Sequence, residues 1–217
     1  MYNVDLHTHS QASPDGGISL AQYKRMLASG VLDAVAITDH NSVDFALVAQ
    51  QQLGDQIIIG EEIMTSEGEI IGLFLQKRVA PDMTPEQTVQ AIKDQGGIVY
   101  IPHPFETLRK GISQQTLDRI ARNVDMVEVY NGRAMQPRHR AQAVAWAQDN
   151  NCVGAASSDA HGAAGWGKAY TTVKLRPTPG SITKEFRNAL LVCKDVGMIG
   201  RLYPTFHRLK SKSKRHA

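Results

Sequence analysis

The sequence predicts an α/β barrel of about seven strand–helix units, and three observations carry that reading. Apolar runs of strand length alternate with amphipathic helical segments along the 217 residues. The runs are apolar on both faces, as strands of a parallel sheet sandwiched by helices must be. Nearly every run ends on a His, Asp or Glu. A barrel gathers all its strand C-termini round one mouth, whereas an open doubly wound sheet concentrates them at a single switch point.

In chain order, an apolar lead-in (Met1, Tyr2, Val4) runs into Asp5-Leu6-His7-Thr8-His9-Ser10. On a strand, histidines at i and i+2 project from one face, so both can reach one metal ion. Residues 11–17 are turn-forming by their Pro, Asp and Gly content. Ser19 reads as a helix N-cap, followed by Leu20, Tyr23, Met26 and Leu27 at helical spacing up to Gly30. Residues 33–38 form a strand ending on Asp39-His40-Asn41, and residues 42–53 a helix. Residues 56–60 form a buried strand ending on Glu61-Glu62, and 63–75 read as strand–turn–strand around Ser66-Glu67-Gly68.

Thr84-Pro85-Glu86-Gln87 joins an N-cap, a first-turn proline and a glutamine at the third position, a helix start that runs to Gly96-Gly97. Strand 98–101 ends on Pro102-His103-Pro104; a helix lies near 114–122; strand 126–130 ends on Asn131-Gly132-Arg133. Helix 137–149 precedes strand 152–156, which ends on Ser157-Ser158-Asp159-Ala160-His161. A strand near 170–175 and a helix near 182–193 complete the body.

The length allows one compact domain with a small appendage: residues 1–200 as the body and 201–217 as a basic tail. The net charge of +3 misleads, because Arg201, Arg208, Lys210, Lys212, Lys214 and Arg215 sit in that tail with no acid. The other 200 residues carry 18 basic against 21 acidic groups, a mildly acidic body. The tail reads as a solvated, partly disordered end; the alternative is contact with a short nucleic acid, with Tyr203 and Phe206 among the cations. No run approaches a membrane span and no secretory signal is readable. Cys152 and Cys193 sit in apolar surroundings as reduced thiols, and a cytoplasmic protein is expected.

Five of the eight histidines (His7, His9, His40, His103, His161) fall at strand ends with Asp15, Asp39, Glu62 and Asp159. Any one of them could be a helix cap or a satisfied loop residue. Converging in one pocket, they make a multinuclear metal site. Asp-Leu-His-Thr-His-Ser at 5–10, Thr-Asp-His-Asn at 38–41, Gly-Glu-Glu-Ile at 60–63, His-Pro-Phe at 103–105, Val-Glu-Val-Tyr-Asn-Gly-Arg at 127–133 and Ser-Asp-Ala-His at 158–161 resemble, in order, the motifs of the PHP (polymerase and histidinol phosphatase) family. The resemblance spans residues 1 to about 175. It implies a distorted seven-stranded (β/α) TIM-like barrel whose two- or three-metal centre, at the C-terminal ends of the strands, hydrolyses phosphoesters.

Carried over residue by residue, the resemblance gives one metal His7, His9, Glu62 and Asp159. A second shares Glu62 and adds His103, and a third takes Asp15, His40 and His161. Glu62 fits the family's Gly-x-Glu, so Glu61 points the other way. Two departures stand out. Pro14 separates Ser13 from Asp15 where many members read Ser-Asp-Gly, and the sixth strand offers only Glu128 and Asn131 where some members supply another His or Cys. Asp39 is placed to orient His40.

Two ions about 3.5–4 Å apart can share a water, lower its pKa and hold the hydroxide in line with phosphorus. Mixed imidazole and carboxylate donors suit Mn, Zn or Fe better than Mg or Ca. Arg109 and Arg133 lie in loops on the same face, where guanidinium forks match phosphate, and His161 could protonate the leaving oxygen. The expected activity is metal-dependent hydrolysis of a small phosphomonoester, a nucleotide or an oligonucleotide end. The alternatives are an amidohydrolase-like metal hydrolase, whose usual strand-end lysine is missing here, and a non-catalytic metal-stabilised module.

Overall fold

The computed structural model describes residues 1–134 and 136–215, with side chains other than those of Phe206 and residues 208–215. Its sheet begins with three parallel strands, β1 (Tyr2–Asp5), β2 (Ala34–Ile37) and β3 (Ile57–Thr65), in a register that sets Val4 beside Ala34 and Val35 beside Ile57. The chain then turns back through Ser66 and Glu67 into β4 (Gly68–Leu73), which is antiparallel to both its neighbours. Parallel order resumes in β5 (Ile98–Ile101), β6 (Met126–Asn131) and β7 (Val153–Ser157). The parallel order expected of the strand–helix units is interrupted here by the strand–turn–strand expected over 63–75, because two residues between strands permit a hairpin and no crossover.

Where β7 returns to β1, Thr8 pairs with Ala160 and the His9 amide donates to the Ala160 carbonyl at 2.8 Å. Below that point β8 (Ala169–Val173) is wedged in, antiparallel to β1. The fully buried Thr171 hydroxyl bridges the seam, accepting from Ala156 N at 2.9 Å and donating to Ala156 O at 3.1 Å. The result is a nearly closed seven-strand barrel extended to nine strands by β8 and β9 (Leu190–Cys193). The helix expected over 182–193 is a short helix, Ile182–Phe186, followed by β9. Leu190-Leu-Val-Cys is a short apolar run that either structure accommodates, and the open edge of β8 recruits it as a strand.

Helices α1 (Leu20–Ala28), α2 (Asp44–Leu53), α3 (Pro85–Lys93), α4 (Gln114–Ile120) and α5 (Pro137–Asp149) cover the outside. Ser19 and Thr84 each form a capping box with Gln22 and Gln87, fixing where α1 and α3 begin. The isoleucine run of β3 shows why the strands are apolar throughout. Ile57 and Ile59 pack beneath the helices with Val35, Ile37 and Val99, while Ile58 joins Val4, Ala36, Ile71, Tyr100 and Met126 inside the barrel.

After the Ile182–Phe186 helix (α6), α7 (Gly197–Arg215) runs unbroken through the segment expected to be a disordered tail. The side chains of Phe206 and of the cations at 208–215 lie outside the described residues. Among those residues, no helix is long and apolar enough to cross a membrane.

Candidate metal centre

Each strand end delivers its polar residue to one mouth. His7 and His9 leave β1 with Nε2 atoms 3.1 Å apart. Glu62, near the end of β3, lies among four imidazoles. Its Oε1 is 3.4 Å from His7 Nε2 and 3.1 Å from His103 Nε2; its Oε2 is 3.3 Å from His9 Nε2 and 3.1 Å from His40 Nδ1. Asp159 Oδ1 faces both His7 and His9 at 3.6 Å. On the other side, Asp15 Oδ1 meets His40 Nε2 at 3.5 Å and His161 Nε2 at 3.4 Å. All eight residues expected to bear metal thus converge, and all but His40 are at most 4 % exposed.

Three donor groups that could each hold an ion emerge: His7, His9 and Asp159; His7, Glu62 and His103; and His9, Asp15, His40 and His161. A fourth, His40, Glu62 and Glu69, contains a residue that sequence reasoning missed. Glu69 is the second residue of β4. Since β4 runs antiparallel, its beginning lies at the mouth and not at the closed end. In the hairpin register Glu69 faces Met64 and Ile71 faces Glu62, so Glu62 and Glu69 share a face. Glu69 lies 3.5 Å from His40 Nδ1 and 3.8 Å from His103 Nε2.

The sixth strand instead provides supports. Glu128 is 3.2 Å from His7 Nδ1 and accepts from His103 N at 2.7 Å and from Asn131 Nδ2 at 2.8 Å, which fixes the ring that offers Nε2 to the centre. Asp39 does not orient His40 as expected. Its carboxylate takes the Ser10 amide at 2.6 Å and the Ser10 hydroxyl at 2.5 Å, tying the β2 loop to the His-x-His segment. Glu61 points away, wholly buried, accepting from Val79 N at 2.8 Å. The loops are bent sharply at the site: Asn41, His103, Phe105 and Asp159 all have positive φ, a conformation costing about 1 kcal/mol or more for such residues.

Burial alone would depress the His7 pKa, but Asp159, Glu62 and Glu128 hold it well above the ordinary value. Burial, together with the charges of His161 and His40, keeps His9 well below it. Glu62 and Asp159 stay well below the usual carboxylate range despite burial, the first through His7 and His40, the second through Arg133, His7 and Arg109. Burial and the neighbouring Glu62 push Glu69 up to about 9. Desolvated imidazoles and carboxylates at such separations match the donor chemistry of a divalent transition metal. His103 Nδ1 is buried with no hydrogen-bond partner, so its ring is aimed by Nε2 alone.

Arg109 and Arg133 come from two loops to the same carboxylate. Arg109 pairs with Asp159 and donates to Asn131 Oδ1 at 3.2 Å; Arg133 Nη1 reaches Asp159 Oδ1 at 3.1 Å and His161 Nδ1 at 3.1 Å. The His161 ring also lies against that of His9, tilted by 31° with 4.0 Å between centroids. Trp146 is core, bonded to Asp118, and Trp166 packs on Tyr23.

Glu61 carries a consequence for stability. Burial, offset in part by the Val79 amide and Arg78, pushes its pKa up to about 7. The native state then binds this proton more tightly than the unfolded chain, so the group costs stability progressively as pH rises from about 4.5 to 7. Glu61→Gln is expected to stabilise the protein by about 1–3 kcal/mol at pH 8 and to change little at pH 4.5, read from urea unfolding at the two pH values. A stabilisation equal at both pH values would refute this origin.

Fold and mouth together define a (β/α) barrel with a His–carboxylate constellation at the C-terminal end of its sheet. The PHP domain description matches residues 5–161, and a PHP-associated description matches residues 137–191. The chain belongs to the PHP-domain family. Two uncharacterized proteins of Methanocaldococcus jannaschii are similar in sequence. MJ1587 is 34 % identical, over 59 % of this chain and 81 % of its own; MJ0417 is 29 % identical, over 88 % and 80 %.

Solved structures share the fold at lower identity. A two-domain protein of Bacteroides vulgatus containing a predicted PHP-like metal-dependent phosphoesterase superposes with TM-score 0.71 at 20 % identity, over 95 % of this chain and 69 % of that one. PsfC of Pseudomonas syringae gives 0.66 at 17 %, over 98 % of both. An amidohydrolase of Chromobacterium violaceum, with bound sulfate and no metal, gives 0.59 at 15 %, over 94 % and 96 %.

Proposed function

We propose that this protein is a metal-dependent phosphoesterase whose ions are held by His7, His9, Asp15, His40, Glu62, His103, Asp159 and His161, with Glu69 as an added donor. The observation that carries the reading is Glu62, a single buried carboxylate within 3.4 Å of four imidazole nitrogens, which would hold ions together with those rings. When bound, two or three ions of Mn, Zn or Fe would supply an activated water and neutralise charge growing on the phosphoryl oxygens.

The chain's own contribution is positioning and charge. Asp159 aligns Arg109 and Arg133 side by side at the rim, where their forks suit the non-bridging oxygens of a phosphate. Asn131 fixes that arrangement by donating to Asp159 at 3.1 Å and accepting from Arg109. Glu128 holds His7 and the His103 loop against displacement. His161 has one nitrogen on Asp15 and the other 3.0 Å from the Asp159 carbonyl, which suits it to holding an ion better than to protonating a leaving group.

The test is phosphate release from p-nitrophenyl phosphate, its bis ester, histidinol phosphate, 3′,5′-bisphosphonucleosides and a short RNA, with Mn or Zn supplied. Release from at least one substrate, falling about a hundredfold or more in Asp159→Asn, is expected. No release from any, with ions bound by elemental analysis, would favour an amide hydrolase or a metal-stabilised module.

A further inference from the structure

The first half of α7 is built onto the metal-bearing loops. Val196, 5 % exposed, donates its amide to Gly132 O at 3.1 Å, and a Cβ added at Gly132 would come within 2.9 Å of its side chain. About two turns further on, the Tyr203 ring lies against two bare glycines. A Cβ at Gly17 would stand 2.3 Å from its hydroxyl, and one at Gly162 would stand 2.7 Å from the ring. Gly17 is joined to the His161 carbonyl at 2.8 Å, so Tyr203 rests on the paired loops that carry Asp15 and His161. Arg201 is neutralised locally by Asp195 and held to Ala134 O.

Beyond this anchor the same helix reads Arg208-Leu-Lys-Ser-Lys-Ser-Lys-Arg215, five cations in eight residues, with no acid after Asp195. Counted from Tyr203 at a rise of 1.5 Å per residue, those positions lie roughly 8 to 18 Å along the axis. One phosphomonoester in the mouth would leave five cations with nothing to neutralise. A substrate carrying several phosphates in a row would engage them.

We propose that α7 is a nucleic-acid-binding arm of the mouth, which leads the end of a single strand, RNA or DNA, to the metal centre. For the reacting end this rests on the phosphoesterase reading; for the partner it rests on the helix itself. A single strand fits where a duplex does not, because the donor residues are buried and the phosphoester must enter among them. An anionic membrane is the competing partner, since Met198, Ile199 and Leu202 are exposed. However, a helix lying in a bilayer surface needs an apolar stripe beneath its cations, and residues 208–215 contain one apolar residue.

The experiment uses the Mn-loaded full chain with 5′-labelled 12-nucleotide single strands of RNA and of DNA, measuring anisotropy at several salt concentrations and product release. p-Nitrophenyl phosphate is the reference substrate. Changing Arg208, Lys210, Lys212, Lys214 and Arg215 together to Gln should raise the dissociation constant at least tenfold. It should also flatten the slope of log K against log salt by about 3 and lower the 12-mer to p-nitrophenyl phosphate ratio of kcat/KM at least tenfold. Tyr203→Ala should keep oligonucleotide affinity within threefold while lowering that ratio, because the arm no longer aims the strand.

Absence of binding to either strand would overturn the proposal. So would a quintuple variant that binds and turns over the 12-mer like the parent, or partition onto phosphatidylserine vesicles without oligonucleotide affinity. Cation-dependent binding with every phosphoester inert would uphold the arm and refute the phosphoesterase reading instead.

Discussion

Glu62→Gln is expected to abolish phosphoester hydrolysis, lowering kcat about a thousandfold, equivalent to about 4 kcal/mol of barrier. The glutamine keeps the volume and the burial but replaces an anionic oxygen by an amide nitrogen, which cannot coordinate. One of the two carboxylate oxygens now set against His7 and His103 on one side and His9 and His40 on the other is therefore lost. Bound metal per chain should fall by at least one ion on elemental analysis, while the far-UV circular dichroism stays that of the parent. The backbone here is held by the β3–β4 ladder and the Asp39–Ser10 tie, neither of which involves the Glu62 side chain. Full metal content with full activity would remove Glu62 from the centre. An unfolded variant would direct the same test to Glu62→Asp, where partial metal content and partial activity are expected.

Chelation should cost nearly as much in stability as that substitution costs in rate. The mouth buries four imidazoles, with a fifth, His40, half-buried, beside Asp15, Glu62, Glu69 and Asp159, and burial followed by the nearby Glu62 charge pushes Glu69 up to about 9. Divalent ions at these donors would replace repulsion among like groups by attraction, and every ion that binds only the native state adds to its stability. Removing them is expected to lower Tm by about 10 °C or more, the equivalent of several kcal/mol for a chain of this size. The loss should be reversed by Mn or Zn and be smaller in Glu62→Gln, which has fewer ions to lose. A chelator-insensitive Tm in the parent would show that the cluster balances its own charges.

How much of this was legible beforehand varies with the range of the interaction concerned. Helix starts at Ser19 and Thr84 are written in local side-chain chemistry, and both capping boxes form. The barrel and the mouth were legible because strand ends bearing His, Asp or Glu recur, and a closed parallel sheet places such ends together. Strand alternation sets Glu61 and Glu62 on opposite faces, and the Gly-x-Glu pattern that the chain shares with its family selects Glu62: Glu61 is wholly buried against Val79, while Glu62 faces the histidines. Asp39 stands next to His40 in sequence, yet it serves Ser10 of the His-x-His segment that follows β1. Adjacency in sequence is a weak guide once a loop bends through positive φ, as Asn41 does.

The alternation of elements, the barrel and the donor residues at the ends of its parallel strands are legible in the chain of residues. These follow from periodicity and residue type, which act over a few positions. The tertiary fold settles that the start of the returning β4 strand brings Glu69 to the mouth, that 190–193 pairs with β8 as a strand, and that Thr171 bridges the barrel seam. It also decided that α7 is seated through Tyr203 on Gly17 and Gly162. Each of these depends on which surface is left open by residues distant in the chain. Strand direction, edge pairing and helix docking are settled by burial and hydrogen bonding across the whole fold, and no local stretch encodes them.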